Sequence, residues 1–579
     1  MKPMRKARAI SLLAVGLAAA CTAPAQTIKN TDRARARAQV PPITVRLDPT
    51  ATGPAPAVPG ARPGGTVTVL TANPRTQFEP AKAYVNDENE ILKLTTRALT
   101  VFTERDGGAV LMPDLATDLG HASSDGLTWT FHLKQGLRYE DGSSVTAADE
   151  AYAVERSFAH DVYPAGPTYQ DDHFLGGDTY KGPYHSHGPF AGVSTPDDRT
   201  VVFHLRKPFP DMPYFASFLL FSPVPEVKDT RSDYGLHPLA TGPYKFASFR
   251  PSNELVLVRN PKWDPNTDPA RHQYPDRYVV RFGQDPVKAQ REIIASNGPD
   301  ATTLNYDGPD ASLVPTLQTA SQRLVTGGAP CISWITLNTR KIPLPVRRAL
   351  AAAWPYESYQ KAAGLTPLTA GPATTLLPPG APGYQKTDVL GNGGAGDGDP
   401  AKGRRLLADA GMTGFTLVWY YGVDNPADQR ETEVMREKLT AAGFTTKPVG
   451  VLASQVGPKG FAVSGPANIR QPPGGWCLDW PSAATMFQLF HGRSVGKGYS
   501  AGFLDDEGVN AEIDKLSGLD PTAAAAGWAA LDQRILRDDL PVIPTGYIRA
   551  AFVVGSRLGN VLDDPTFGVP DFSLIYVHR

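Results

Sequence analysis

Between Leu127 and Phe158 the residues spell out a strand, a turn and a helix with little room for any other reading. "LTWTFHL" alternates strictly, placing Leu127, Trp129, Phe131 and Leu133 on one face and Thr128, Thr130 and His132 on the other. Period-two alternation of this kind is strand chemistry. "DGSSV" then turns the chain, and Thr146 with Asp149 has the spacing of a capping box. Ala147, Ala151, Val154 and Phe158 recur at helical intervals, which predicts an amphipathic helix.

The same signals recur along the chain. "GGTVTVLTA" (Gly64 to Ala72) reads as the first strand, "RTVVFHLRKPFP" (Arg199 to Pro210) as one ended by prolines, and "ELVLVRNPKW" (Glu254 to Trp263) as another. Residues 160–190, rich in Gly, His, Pro and Tyr, read as a long loop. In "DPAKGRRLLADAG" Asp399 caps a helix, Pro400 sits in its first turn and Gly411 stops it. "FTLVWYY" (Phe415 to Tyr421) follows as a strand, and "ADQRETEVMREKLTAAG" as a helix ending at Gly443. That alternation predicts an α/β lobe. At 579 residues the chain exceeds one hydrophobic core, so two or three domains are expected.

The N-terminus reads as an export signal. Lys2, Arg5, Lys6 and Arg8 form a basic region, and Ala9 to Ala20 is an apolar run of secretory length, too short to span a bilayer. "LAAAC" (Leu17 to Cys21) resembles the lipobox of bacterial lipoproteins, which implies lipidation of Cys21 and a mature chain tied to the membrane face; cleavage after "APA" (Ala23 to Ala25) is the alternative. Loss of residues 1–20 takes the formal charge from −1 to −5, which offers no electrostatic footprint for nucleic acid. Residues 21–63, aperiodic and rich in Pro, Ala, Thr and Arg, read as a disordered tether.

"GGWCLDWPSA" (Gly474 to Ala483) is the chemically densest stretch. Trp476, Cys477, Asp479 and Trp480 admit four readings: reactive thiol, metal site, core strand or cleft wall. A nucleophilic cysteine needs a neighbouring base, and "CLDWP" supplies no histidine. Structural zinc needs paired cysteines, whereas Cys331 and Cys477 stand 146 residues apart. His185 and His187 in "YHSHG" read as solvated loop. "GNGGAG" (Gly391 to Gly396) has dinucleotide-fingerprint spacing but no strand leading in and a proline-started helix after it, so it reads as a loop. No cofactor or metal is expected, and no catalytic constellation, so the chain is read as a non-enzyme.

Five colinear stretches resemble the extracellular solute-binding proteins of family 5, the oligopeptide- and dipeptide-binding proteins of ABC transporters. They are Leu111 to Phe158, "ATGPYKFASF" with "LVRNPKW", "PLPVRRALAAAW" (Pro343 to Trp354), "DPAKGRRLLADAG" and "GWCLDW". The resemblance implies an α/β, two-lobed periplasmic-binding-protein-like fold with a hinge and an extra subdomain inserted in lobe one. Lobe one would comprise 64–104, 233–330 and 546–579, the subdomain 105–232, and lobe two 331–545. It also implies a monomer that takes a peptide between its lobes and passes it to a permease and, through that, to separate ATPase subunits. A non-peptide solute (nickel chelate, haem, siderophore-like compound or oligosaccharide) or a signalling lipoprotein is the alternative.

In such relatives the aspartate matching Asp479 pairs with the ligand's α-ammonium group, with Trp476 and Trp480 as cleft walls, and some carry a disulfide at positions like Cys331 and Cys477. "RTQFEPAKAYVNDE" (Arg75 to Glu88) corresponds to the family's opposite wall, with Glu79 at its usual aspartate and Tyr84, Val85 and Asn86 offering backbone groups to an extended peptide. Two departures stand out. Ser482 and Ala483 replace a common "DP", and Pro472 and Pro473 stand where some oligopeptide binders carry a base for the ligand's carboxylate. The ligand class is thereby left open among longer, capped and non-peptide molecules.

Overall fold

The computed structural model describes residues 45–579 apart from 187 and 461. The export signal, Cys21 and the first part of the expected tether lie outside the described residues. The rest of that tether is not free. Val45–Leu47 pairs in parallel with Gly108–Pro113, and the Ala55 and Val58 amides bond the Asp268 carbonyl and the Tyr274 hydroxyl at 3.1 and 3.0 Å. Aperiodic sequence gave no sign of this strand, because its partner lies some sixty residues away.

The backbone of the molecule is a nine-stranded sheet. Its order runs Ile469–Cys477, Leu324–Leu337, Val542–Val554, Thr303–Asn305, Thr66–Leu70, Arg277–Arg281, Glu254–Arg259, Tyr244–Arg250, with the short Ala370–Gly371 also on Val542–Val554. Thr66–Leu70 runs parallel to both its neighbours, and the other pairings are antiparallel. Two of these strands explain the shape. Leu324–Leu337 and Val542–Val554 pair along their length, from Leu324 opposite Val553 to Thr336 opposite Val542. At one end Ala550, Phe552 and Val554 enter a core with Val67, Leu255, Leu304 and Phe572. At the other, Ile332, Trp334, Leu337 and Ile543 enter a second core with Trp354, Trp419, Phe487 and Trp528. Two lobes therefore share two continuous strands, whose register shifts between Gly328 and Ile332, where the cores part.

A third core belongs to the inserted subdomain. Phe131, Leu133, Val154, Phe158, Val201 and Phe203 pack under a four-stranded sheet that includes Thr128–His132 and Thr200–His204. The helix Ala147–Arg156 carries the capping box read from the sequence: the Asp149 amide bonds Thr146 Oγ1 at 3.3 Å and the Thr146 amide bonds Asp149 Oδ2 at 2.9 Å. Ala147, Ala151, Val154 and Phe158 are all buried, as their spacing requires. In the second lobe, helix Pro400–Asp409 is capped by Asp399, whose Oδ1 accepts the Lys402 amide at 2.8 Å. The strand Thr416–Gly422 and the helix Pro426–Ala441 follow it in the predicted order.

Candidate binding site

The strand Ile469–Cys477 brings the dense stretch to the inner edge of the second lobe. Gly475 lies so close to Leu324–Leu337 that a Cβ there would stand 2.4 Å from the Ile332 carbonyl oxygen, which accounts for a glycine. Cys477 faces Cys331 directly across the pair of strands, and the two sulfurs are bonded. Beyond Cys477 the chain leaves the sheet, and Asp479 projects where the three cores meet.

All three units supply hydrogen bonds to that carboxylate. Tyr84 of the first lobe donates its hydroxyl to Asp479 Oδ2 at 2.9 Å. Tyr169 of the inserted subdomain donates to the same oxygen and is itself held by Gln488 Nε2 of the second lobe. Trp476 Nε1 stands 3.4 Å from Oδ2, and its ring lies edge-on to Tyr84 with centroids 6.2 Å apart. Every one of these donors is neutral, and among the described residues none donates to Oδ1. Nor does any Lys, Arg or His among them form an ion pair with Asp479. Burial therefore dominates its titration: the carboxyl is pushed up to about 7, with the Tyr169, Tyr84 and Trp476 hydrogen bonds pulling the other way. The two tyrosines are raised well above the usual phenol range, first by burial and next by the adjacent carboxylate.

Several expected wall residues do something else. Trp480 is 1% exposed and is the one second-lobe side chain in the subdomain's core. It packs against Tyr169, Phe218 and Phe215 at 4.6, 5.5 and 5.8 Å and donates Nε1 to Asp211 Oδ2 at 2.7 Å. It thus clasps the lobe to the subdomain. Tyr84 acts through its hydroxyl, Asn86 through Nδ2 on the Phe567 carbonyl at 2.6 Å, and the Val85 carbonyl is taken by the Asn89 amide at 3.0 Å. A helix begins at Asn86 after an extended Val85, whose side chain stays half-exposed. Glu79 lies away from the gap, fully buried against Arg156 at 3.0 Å.

Tyr169 and Gln488 were not legible in the sequence. Tyr169 falls in the stretch read as a loop, which in fact contains a helix at Tyr169–His173. His185 pairs with Asp161 at 2.9 Å on the surface, and His187 lies outside the described residues. Gly391 to Gly396 forms a loop ahead of Pro400–Asp409. Among the described residues no group of three or more His, Cys, Asp or Glu is placed to hold a metal, and no helix is long and apolar enough to cross a membrane.

Two lobes on shared strands, with an uncompensated carboxylate in the gap, define a hinged solute-binding protein. The chain belongs to the bacterial extracellular solute-binding proteins, family 5, whose middle region matches residues 110–497. It is 28% identical to the clavulanic acid biosynthesis oligopeptide binding protein 2, with a TM-score of 0.82 over 92% of this chain and 99% of that one. A probable peptide ABC transporter periplasmic-binding protein of Sinorhizobium fredii is 25% identical over 56% of this chain and 60% of its own length. Heme-binding protein A of Haemophilus influenzae is 26% identical over 80% of this chain and 84% of its own. The chain thus spans about three fifths of the length of the Sinorhizobium relative.

Proposed function

We propose that this protein is the receptor of an ABC importer, capturing an oligopeptide between its lobes and delivering it to a membrane permease. The observation that carries this reading is Asp479. Its Oδ2 is fixed by donors from three units, and among the described residues Oδ1 is unclaimed and no cation balances the charge. Taking a lone charge out of water costs several kcal/mol unless a counter-charge arrives. A peptide's α-ammonium group supplies one, and such a charge-assisted bond contributes about 1.5–3 kcal/mol net. A ligand that bridges the lobes stabilises the closed arrangement and shifts the hinge equilibrium toward it. No chemistry on the ligand is required.

The division into lobe one (64–104, 233–330, 546–579), subdomain (105–232) and lobe two (331–545) is part of this proposal. So are export, anchoring through a lipid on Cys21, and monomeric action. The Cys331–Cys477 bond forms, in this reading, in the oxidising space outside the cytoplasm. Calorimetry with short peptides tests the site. Asp479→Ala is expected to weaken binding at least tenfold, about 1.4 kcal/mol, while the protein stays folded. Unchanged affinity removes Asp479 from the site.

A further inference from the structure

The lobes share the strand Leu324–Leu337, and the groups that grip its middle change sides within a few residues. One grip is a short hairpin of the C-terminal tail, in which Asp563–Asp564 pairs with Val569–Pro570. Asp563 Oδ2 accepts the Gly328 amide at 3.2 Å. The same carboxyl lies over Gly327, where a Cβ would stand 2.0 Å from Asp563 Cγ, so only glycine fits beside it. At the other end of the turn Gly568 presses on Ala329: a Cβ there would stand 2.6 Å from that of Ala329. The hairpin is itself tied into the first lobe. Lys93, on helix Asn86–Lys93, meets Asp564 at 2.9 Å and Asp571 at 3.2 Å, and Asn86 Nδ2 donates to the Phe567 carbonyl at 2.6 Å. The next two residues of the strand are held by the other lobe. The Pro330 carbonyl accepts the Leu478 amide at 2.8 Å, and Cys331 is bonded to Cys477. The grip thus passes from one lobe to the other across a single peptide bond, Ala329 to Pro330.

We propose that the hairpin 563–570 is a hinge clamp, which sets the pivot between the lobes at the Ala329–Pro330 bond, with Asp563 as its positioning residue. A hinge is a few residues that absorb the change in φ and ψ as domains close. Holding 327–329 against the first lobe confines that change to one place, and a proline there, with φ fixed at about −65°, leaves few free rotations. The second lobe then swings along one path, which returns Asp479 to Tyr84 and Tyr169 in register. Beyond the pivot, Pro565 and Thr566 at the hairpin's tip face Leu478, Trp480 and Pro481 across a narrow gap, so the clamp also borders the moving side. The assignment rests on the division into lobes proposed above and is independent of what the guest is.

Electron–electron resonance between two nitroxides tests it on the intact protein without any guest. The labels go on keto-bearing amino acids, which leave the cysteines bonded, at Lys288 of the first lobe and Lys402 of the second, both exposed. Asp563→Ala should at least double the width of the interlobe distance distribution. Asp563→Asn still accepts the Gly328 amide and should stay near the unmodified width. Gly327→Ala collides with the Asp563 carboxyl and should broaden the distribution too, but should add nothing once Asp563→Gly has removed that side chain. A control pair within the second lobe, Lys402 with the exposed Lys515, should keep its width in every variant. Unchanged interlobe widths in Asp563→Ala and Gly327→Ala overturn the clamp, as does equal broadening of the control pair. If Asp563→Ala does not fold, Gly327→Ala decides. Equal broadening by Asp563→Asn and Asp563→Ala removes the Gly328 bond as the cause and overturns the role of Asp563. Peptide affinity is read separately, so either proposal can fail while the other stands.

Discussion

Two seams run through this molecule, and they are built from different chemistry. The seam between the first lobe and the inserted subdomain is sealed by buried charge. Arg156 of the subdomain meets Glu79 of the first lobe at 3.0 Å, and Arg97 and Arg271 of that lobe hold Asp114 of the subdomain between them at 2.6 and 2.8 Å. The seam between those two units and the second lobe is held by neutral donors on Asp479, by Trp480 in its aromatic cage and by a peripheral Lys497–Asp172 pair at 3.7 Å. Parting a buried ion pair strands two charges in low dielectric, whereas parting Tyr84, Tyr169 or Trp480 from its carboxylate leaves only one charge to resolvate. On the proposed reading the first seam stays shut, and the second is the one a ligand opens and closes.

Breaking the charged seam should have the largest effect. Arg156→Met leaves Glu79 buried without its partner and is expected to cost about 3–5 kcal/mol of stability in urea unfolding. A loss no larger than that of an ordinary surface substitution would make the two seams alike. Next comes the clasp. Trp480→Leu empties part of an aromatic cage at a cost of roughly 2–3 kcal/mol, charged mainly against the closed arrangement. X-ray scattering should then show a larger radius of gyration for the unliganded protein; an unchanged radius would mean that Trp480 does not hold the lobes together.

The smallest effect sharpens the role of Asp479. Its carboxyl is raised to about 7 in this structure, so below that pH it is mostly neutral and has no charge to offer an ammonium group. A bound cation favours the ionised form, so affinity should be greatest above pH 7. It should fall by up to tenfold per pH unit below that. The sign is opposite to that of a carboxylate already paired in the free protein, which would keep its charge down to pH 4. Asp479→Asn should bind weakly and lose the pH dependence, as read by calorimetry from pH 5.5 to 7.5.

The permanent architecture was the more legible part. The strand at Thr128–His132, the capped helix Ala147–Arg156 and the helix Pro400–Asp409 are specified by residues adjacent in sequence, so periodicity and caps reveal them. The family resemblance singled out Asp479 and the Cys331–Cys477 pair; the cysteines face each other across two neighbouring strands, and Asp479 follows two residues on. Tyr169 and Gln488 escaped because their role depends on two units meeting 319 residues apart. Trp480 was read as a wall because nothing beside it in the sequence shows that Phe209, Phe215 and Phe218 close around its ring. The strand at Val45–Leu47 was missed for the same reason: three residues in a proline-rich stretch carry no pattern until Gly108–Pro113 is placed against them.

The central claim is that a lone negative charge in the separable seam receives a positive one from the guest. The most direct measurement compares, by calorimetry at pH 7.5, one bound peptide with its N-acetylated counterpart. Loss of the ammonium charge should weaken binding at least tenfold in the unmodified protein and hardly at all in Asp479→Asn. Equal affinity for the free and acetylated peptides in the unmodified protein would contradict it.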